Sequence, residues 1–263
     1  MLNGMQMAII KKDLQNITSN KRMFSALLIV PIIMSVFLPT IFVLTIAFSP
    51  VDSQDFKQLA DLLGPNISAG NLQELVIDLL FNSILPLFFL IIPVMASSIM
   101  AATAFVGEKE KSTLETLLYC PLPLRKIFNA KIMASFILGM GVSSLSFVIM
   151  TIVVEIELRF TMGSFVIPGI SWLVMMLLVA PAISLIAIAL IVRGSAKAQT
   201  SEESQQRSVF LLLPIILLVV SQFTGIMMMN ALMFLGIGVV LGIVALLMLK
   251  SSYGNFQYET LLH

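Results

Sequence analysis

Residues Gly107 to Lys131 read GEKEKSTLETLLYCPLPLRKIFNAK, and they form the longest polar interruption flanked by basic residues in a chain that is otherwise soluble in lipid. Ser112-Thr113-Leu114-Glu115 has the form of a capping box. The Ser112 hydroxyl can accept from the amide of Glu115, while the Glu115 carboxylate reaches back to the amide of Ser112. A short helix is expected to start there. Leu114, Leu117 and Leu118 fall at i, i+3 and i+4 on one face, and Pro121 ends the helix because it lacks an amide hydrogen and pushes Cys120 out of the α region. Pro123 can open a second helix, whose apolar stripe Leu124, Ile127 and Phe128 runs into the next apolar segment. Arg125, Lys126 and Lys131 stay at headgroup level. The loop is thereby tied to a spanning helix.

Outward from this stretch the chain is a series of uncharged runs. Apolar residues make up 59% and charged residues 11%, with a mean hydropathy of +1.04, against about a quarter charged in soluble domains. This is a polytopic all-α membrane protein. Residues 1 to 22 carry Lys11, Lys12, Lys21 and Arg22, with Met7, Ile10, Leu14 and Ile17 on one helical face, as in an amphipathic interfacial helix. Six spans are expected, at about 23–50, 79–106, 132–154, 165–192, 208–229 and 231–249, within one membrane domain covering 1–263. The first is too long for the apolar region of a signal peptide and reads as a retained span, with Pro31 and Pro39 as candidate kinks. The last uncharged run, Ser208 to Leu249, is long enough for two crossings with a tight turn near Met229 and Asn230. Between the first two spans lies an acidic loop, with helix-like pieces around 56–63 and 72–80. Small residues from Ala96 to Ala104, and Ser135, Gly139 and Ser143 four apart, would let helices approach closely.

Of the 15 Lys and Arg residues, 13 lie on one face of this layout, and the opposite face holds 2 basic against 7 acidic residues. The basic face is therefore expected to be cytoplasmic, with both termini inside. The cellular membrane of a prokaryote is the expected location.

No Asp, Glu, Lys, Arg or His falls within the six apolar runs, although ion-coupled carriers and proton relays use such groups at membrane depth. No G-x-x-x-x-G-K phosphate loop is present, and the sole histidine, His263, is the last residue. The chain is not expected to be an enzyme, and any energy must come from another polypeptide. A net charge of +1 gives no field for nucleic acid, and the single Cys120 excludes an internal disulfide. Gln222, with Ser221 and Thr224, is the most polar group inside a span; it either lines a substrate path or bonds across to a neighbouring helix. Gly238 and Gly242 permit close packing, within the subunit or between two copies.

Two readings fit the 107–131 loop: a solvated segment whose charges only set topology, or a docking helix for a soluble partner. The apolar face on a capped helix favours docking, since a topology signal needs no second apolar face. Glu108-Lys109-Glu110, Ser112-Thr113-Leu114-Glu115, Leu117-Leu118, Pro121 and Ala130-Lys131 resemble the cytoplasmic loop of the type-2 ABC export permeases. Ser112 stands where that family commonly has Gly, Cys120 where it has Thr or Ser, Pro123 where it has Ser, and Ala130 where it has the Gly before Lys131. The resemblance implies a six-span permease with a coupling helix between spans 2 and 3. It would be seated on a separate ATPase subunit through Glu108, Glu110, Ser112, Thr113, Leu114, Glu115, Leu117 and Leu118. It also implies a second permease copy or homologue, ATP and Mg held by the partner rather than by this chain, and export of a hydrophobic or amphipathic substrate or an ion. The other expectation compatible with the same layout is a scramblase-like or interaction subunit with no ATPase. As the one thiol of the chain, Cys120 tests the orientation. A membrane-impermeant maleimide is expected to label it in inverted vesicles and not in sealed cells; labelling of sealed cells would invert the topology.

Overall fold

A computed structural model describes residues 4–48, 76–110, 123–161, 163, 165–195, 198–224 and 230–254. Among these, helices α1 (Gly4–Ser19), α2 (Lys21–Phe48), α3 (Val76–Glu110), α4 (Leu124–Thr161), α5 (Ile170–Gly194), α6 (Ser201–Val209), α7 (Leu212–Phe223) and α8 (Ala231–Gly254) follow one another, with no strand. Five helices are long and apolar enough to cross a membrane: Leu27–Phe48 of α2, α3, Arg125–Thr161 of α4, α5, and Ala231–Ser251 of α8. The other apolar helix, Leu212–Gln222, is shorter. The expected fifth span thus differs from its sequence outline. Ser208 and Val209 close the polar helix α6, and α7 begins only at Leu212, with Pro214 in its first turn. The expected helix-like piece at 56–63 and the turn at Met229 lie outside the described residues, as does the docking helix at 112–119; of the piece expected at 72–80, Val76 onward is helical and belongs to α3.

α3 is the centre of the bundle. α4 packs along one side of it and α5 along another, while α2 lies on α4 and α8 on α5. The small-residue patch makes this possible: Ala96, Ala101, Ala102 and Ala104 are all buried. Ser135 and Ser143 of α4 are fully buried too, and a Cβ placed on Gly139 would collide with the Ser97 hydroxyl. The spacing of four in the third span therefore marks the face turned to α3. Gly238 of α8 likewise lies under Leu178 of α5, so it packs within the subunit, whereas Gly242 faces open space.

The third helix continues well beyond the uncharged run. Glu155, Glu157 and Arg159 lie inside α4, where Glu157 accepts a hydrogen bond from Thr40 of α2. α5 starts five residues later than the fourth run, because Pro168 keeps Ile167 out of the α region and Gly169 is extended, its amide donating to Asn82 Oδ1 at 2.7 Å. The reversal between α4 and α5 passes through Gly163, whose φ of +65° favours glycine.

Both α3 and α5 contain one π turn, Leu80–Ile84 and Met175–Val179, and each stands just before a proline, Pro86 and Pro181. A proline ring clashes with the carbonyl four residues back, and widening the turn relieves that clash. In the π pattern, the amide of Leu85 donates to Leu80 O. The next amide in register would donate to Phe81 O, but residue 86 has none. Trp172 of α5 supplies the missing donor, its indole nitrogen lying 2.9 Å from Phe81 O. Its ring is enclosed by Phe81, Phe89 and Phe147, with centroids 5.0 to 5.7 Å away. One side chain thus joins α3, α4 and α5 at the end of the bundle away from the 107–131 loop.

Gly139→Ala is expected to lower the stability of the detergent-solubilised protein by about 1–3 kcal/mol, since the added methyl overpacks a closed contact. Gly141→Ala, with no heavy atom within 4 Å of its Cβ, should melt at or above wild type. Equal melting of the two variants would contradict the close α3–α4 contact.

Candidate functional site

At the basic end of the bundle, where α1, the end of α3 and the start of α4 converge, the structure gathers a cluster of charges. It stands at both roots of the 107–131 loop. Glu108, in the last turn of α3, is buried, and its carboxylate lies 2.9 Å from Lys12 Nζ of α1 and 2.6 Å from Lys131 Nζ of α4. Lys131 is almost completely enclosed, with 4% of its side chain exposed, while 55% of the Lys12 side chain is in solvent. The Lys131 ammonium also donates to the carbonyl of Ala104 and sits 5.6 Å from the centre of the Phe105 ring. A carbonyl, a carboxylate and a ring face together replace the water it loses.

α1 enters this cluster through polar residues on its buried side. Of the expected face, Ile10 and Ile17 are buried and Leu14 packs beside them, whereas Met7 is 54% exposed, and Gln6, Ile9 and Asp13 complete the buried side. Gln6 Nε2 donates to Lys126 O at 3.2 Å, a second hydrogen bond to a carbonyl in the first turn of α4. Asp13 lies seven residues on, beside the ion pairs, and its Oδ2 is buried without a hydrogen bond. Burial pushes the Asp13 carboxyl above the ordinary value; Lys131 opposes the rise, Glu108 adds to it and Lys12 opposes it. For Lys12, burial acts to lower the pKa, but the hydrogen bond and charge of Glu108 outweigh it and the net shift is upward. Hydrophobic periodicity could not find Gln6 and Asp13, since it counts both as outward-facing.

A second link closes the same end of the molecule. Glu110, at the end of α3, accepts from the amide and the hydroxyl of Ser201, at 3.2 and 3.0 Å, at the N-terminus of α6. There a carboxylate meets unsatisfied amides and the positive end of the helix dipole. α6 is also capped by Thr200, whose hydroxyl accepts from Glu203 N. Arg193 of α5 donates to Met248 O of α8 at 3.0 Å. Of the eight residues expected on a docking surface, Glu108 turns into the molecule and Glu110 holds α6. Ser112, Thr113, Leu114, Glu115, Leu117 and Leu118 lie outside the described residues.

The three polar residues of the fifth apolar segment do not share a face. Gln222 is buried, with Oε1 lacking a hydrogen bond, while Ser221 donates to Leu218 O and Thr224, which is exposed, donates to Val220 O. Other span hydroxyls also bond back to their own helix, among them Ser98 to Val94 O, Ser143 to Gly139 O and Thr151 to Phe147 O. They act in packing.

A family model described as ABC-2 family transporter protein matches residues 7–257. No curated protein and no solved structure matches the chain.

The burial of these charges sets their ranking. Lys131→Met should lower stability by about 3 kcal/mol or more, because it removes the buried partner of Glu108 and leaves only Lys12, whereas Lys12→Met should cost less than about 1 kcal/mol. Asp13→Asn should behave in the opposite way. A carboxyl whose folded pKa is raised stabilises the fold below its unfolded pKa, and that contribution is lost as pH climbs through the folded value. At neutral pH the Asn variant should therefore melt at or above wild type, and lose that advantage as pH falls toward the ordinary carboxylate range. Thermal melts of the purified protein across pH check all three; a Lys131 variant as stable as wild type would mean the cluster is solvated.

Proposed function

The chain belongs to the ABC-2 family of transporter proteins, and from that premise we propose that it is the membrane subunit of an ATP-driven exporter. Its energy comes from separate ATPase subunits, which bind ATP and Mg, and a second permease copy or homologue completes the pathway. The observation that carries this reading is the bridging of both loop roots by Glu108. A force applied to the 111–122 segment is transmitted to α3 on one side and α4 on the other, because Glu108 and Lys131 fix these helix ends to each other. Through Lys12 the same carboxylate engages α1, and through Glu110 the end of α3 engages α6. Closure of the ATPases would move these four elements together and tilt α3 and α4, shifting access of the pathway from one side of the membrane to the other. A loop that only set topology would need no such clamp. In this reading the basic face is cytoplasmic, both termini are inside, and the cell membrane of a prokaryote is the site of action.

The apolar face of Leu114, Leu117 and Leu118 is the contact with the ATPase. Replacing Leu114 and Leu117 together by Asp places two unpaired charges in a desolvated contact, at a cost of several kcal/mol. The variant is expected to reach the membrane and to keep its melting temperature in detergent, yet to lose the ATPase on pull-down and to lose export in cells. Retention of the partner with continued export would overturn the docking role. A wild-type chain that moves its substrate with no ATPase present would favour the scramblase-like alternative.

A further inference from the structure

A cavity of about 360 Å³ lies between α3 and the α6–α7 corner, a volume within the range of sites for drug-sized molecules. Its two walls differ in chemistry. The α3 wall presents Met95 and Ile99, continued by Leu212 at the start of α7. Ser98 stands on the same wall, but its hydroxyl already donates to Val94 O at 2.6 Å. The α6 wall presents Glu202, Gln205 and Gln206, which at i, i+3 and i+4 share one helical face. Among the described residues lining the cavity, Glu202 is the one ionisable side chain. A carboxylate in the first turn of α6 also suits the helix dipole, but the dipole gives no reason for two amides on the same face opposite apolar side chains.

We propose that this cavity binds monocationic amphiphiles, with the apolar body against Met95, Ile99 and Leu212 and the cationic head at Glu202, Gln205 and Gln206. The inference rests on the transporter reading and names the class of substrate. An anionic ligand is disfavoured by the same geometry. Two amides in the first turn of α6 that would receive it are already engaged, Ser201 N by the Glu110 carboxylate and Glu203 N by Thr200 Oγ1. A neutral apolar ligand would leave the carboxylate and amides facing it without partners.

Tetraphenylphosphonium and tetraphenylborate have nearly the same shape and opposite charge, so they separate charge from bulk. The full-length chain in lipid nanodiscs, with empty nanodiscs subtracted, is expected to bind radiolabelled tetraphenylphosphonium saturably, and tetraphenylborate is expected not to displace it. Glu202→Gln should weaken binding about fivefold, as befits a partly solvated charge contact, and Glu202→Asp should recover part of the loss. Ile99→Trp should abolish binding by filling the cavity, while the two Glu202 variants melt like wild type. The proposal is overturned if wild type shows no saturable binding, if Glu202→Gln binds as tightly as wild type, or if tetraphenylborate competes equally well. No ATPase takes part in the measurement. Loss of binding therefore counts against the substrate class alone, and a failed pull-down counts against the ATPase partnership alone.

Discussion

An ammonium group surrounded by apolar side chains is tolerated only when carboxylates and carbonyls replace its water, and Lys131 is such a group. Its place in α4 is fixed by what it must reach: Glu108 and the Ala104 carbonyl, both near the end of α3. The requirement sets the relative height of the two helices, and with it the geometry of the loop between them. Lys12 then brings α1 to the same carboxylate from the solvent side. Apolar packing along α3 and α4 is compatible with several registers, because alanine and serine recur along both helices. The ion pair is compatible with far fewer.

The opposite end of the bundle is held by different means. Pro86 and Pro181 impose wide turns on α3 and α5. The backbone acceptor that Pro86 leaves unmatched is satisfied by Trp172 from a neighbouring helix. One end is thus clamped by charge and the other by an aromatic cluster with a single indole bond. Between them lies the close α3–α4 contact at Ser97 and Gly139. A buried charge pair resists separation, since parting would leave each ion without its partner in a dry site, and the aromatic cluster resists through packing.

Much of this was legible in the sequence, and what was not has identifiable causes. Long uncharged runs announced α2, α3, α4, α5 and α8, because the bilayer sets their length. The stripe Ser135, Gly139, Ser143 announced the packing face of α4, because small residues are informative wherever helices touch. Helix ends were read less well. Glu155 and Glu157 are as helical as the residues before them, since hydropathy marks where lipid stops and not where hydrogen bonding stops. The buried face of α1 was read only in part, because Gln6 and Asp13 are polar and yet face inward, Gln6 onto a carbonyl of α4 and Asp13 within the field of Lys131, neighbours that only the fold brings near. Glu108, taken from the sequence as part of a docking surface, is buried and paired inside the bundle, and nothing in its neighbours along the chain announces that burial. The π turns were likewise out of reach: prolines signal strain, but not how a particular helix relieves it.

Trp172 is the only tryptophan in the chain, and it sits where three helices meet, with its indole nitrogen on a backbone carbonyl of α3 and its ring against Phe147 of α4. Its emission therefore comes from one place and depends on one hydrogen bond and one dry enclosure. Any rearrangement that slides α5 along α3 would break that bond or admit water, and the colour of the emitted light would register it. The protein thus carries an optical gauge at the end of the bundle remote from the Glu108–Lys131 pair, without a label and without altering a residue.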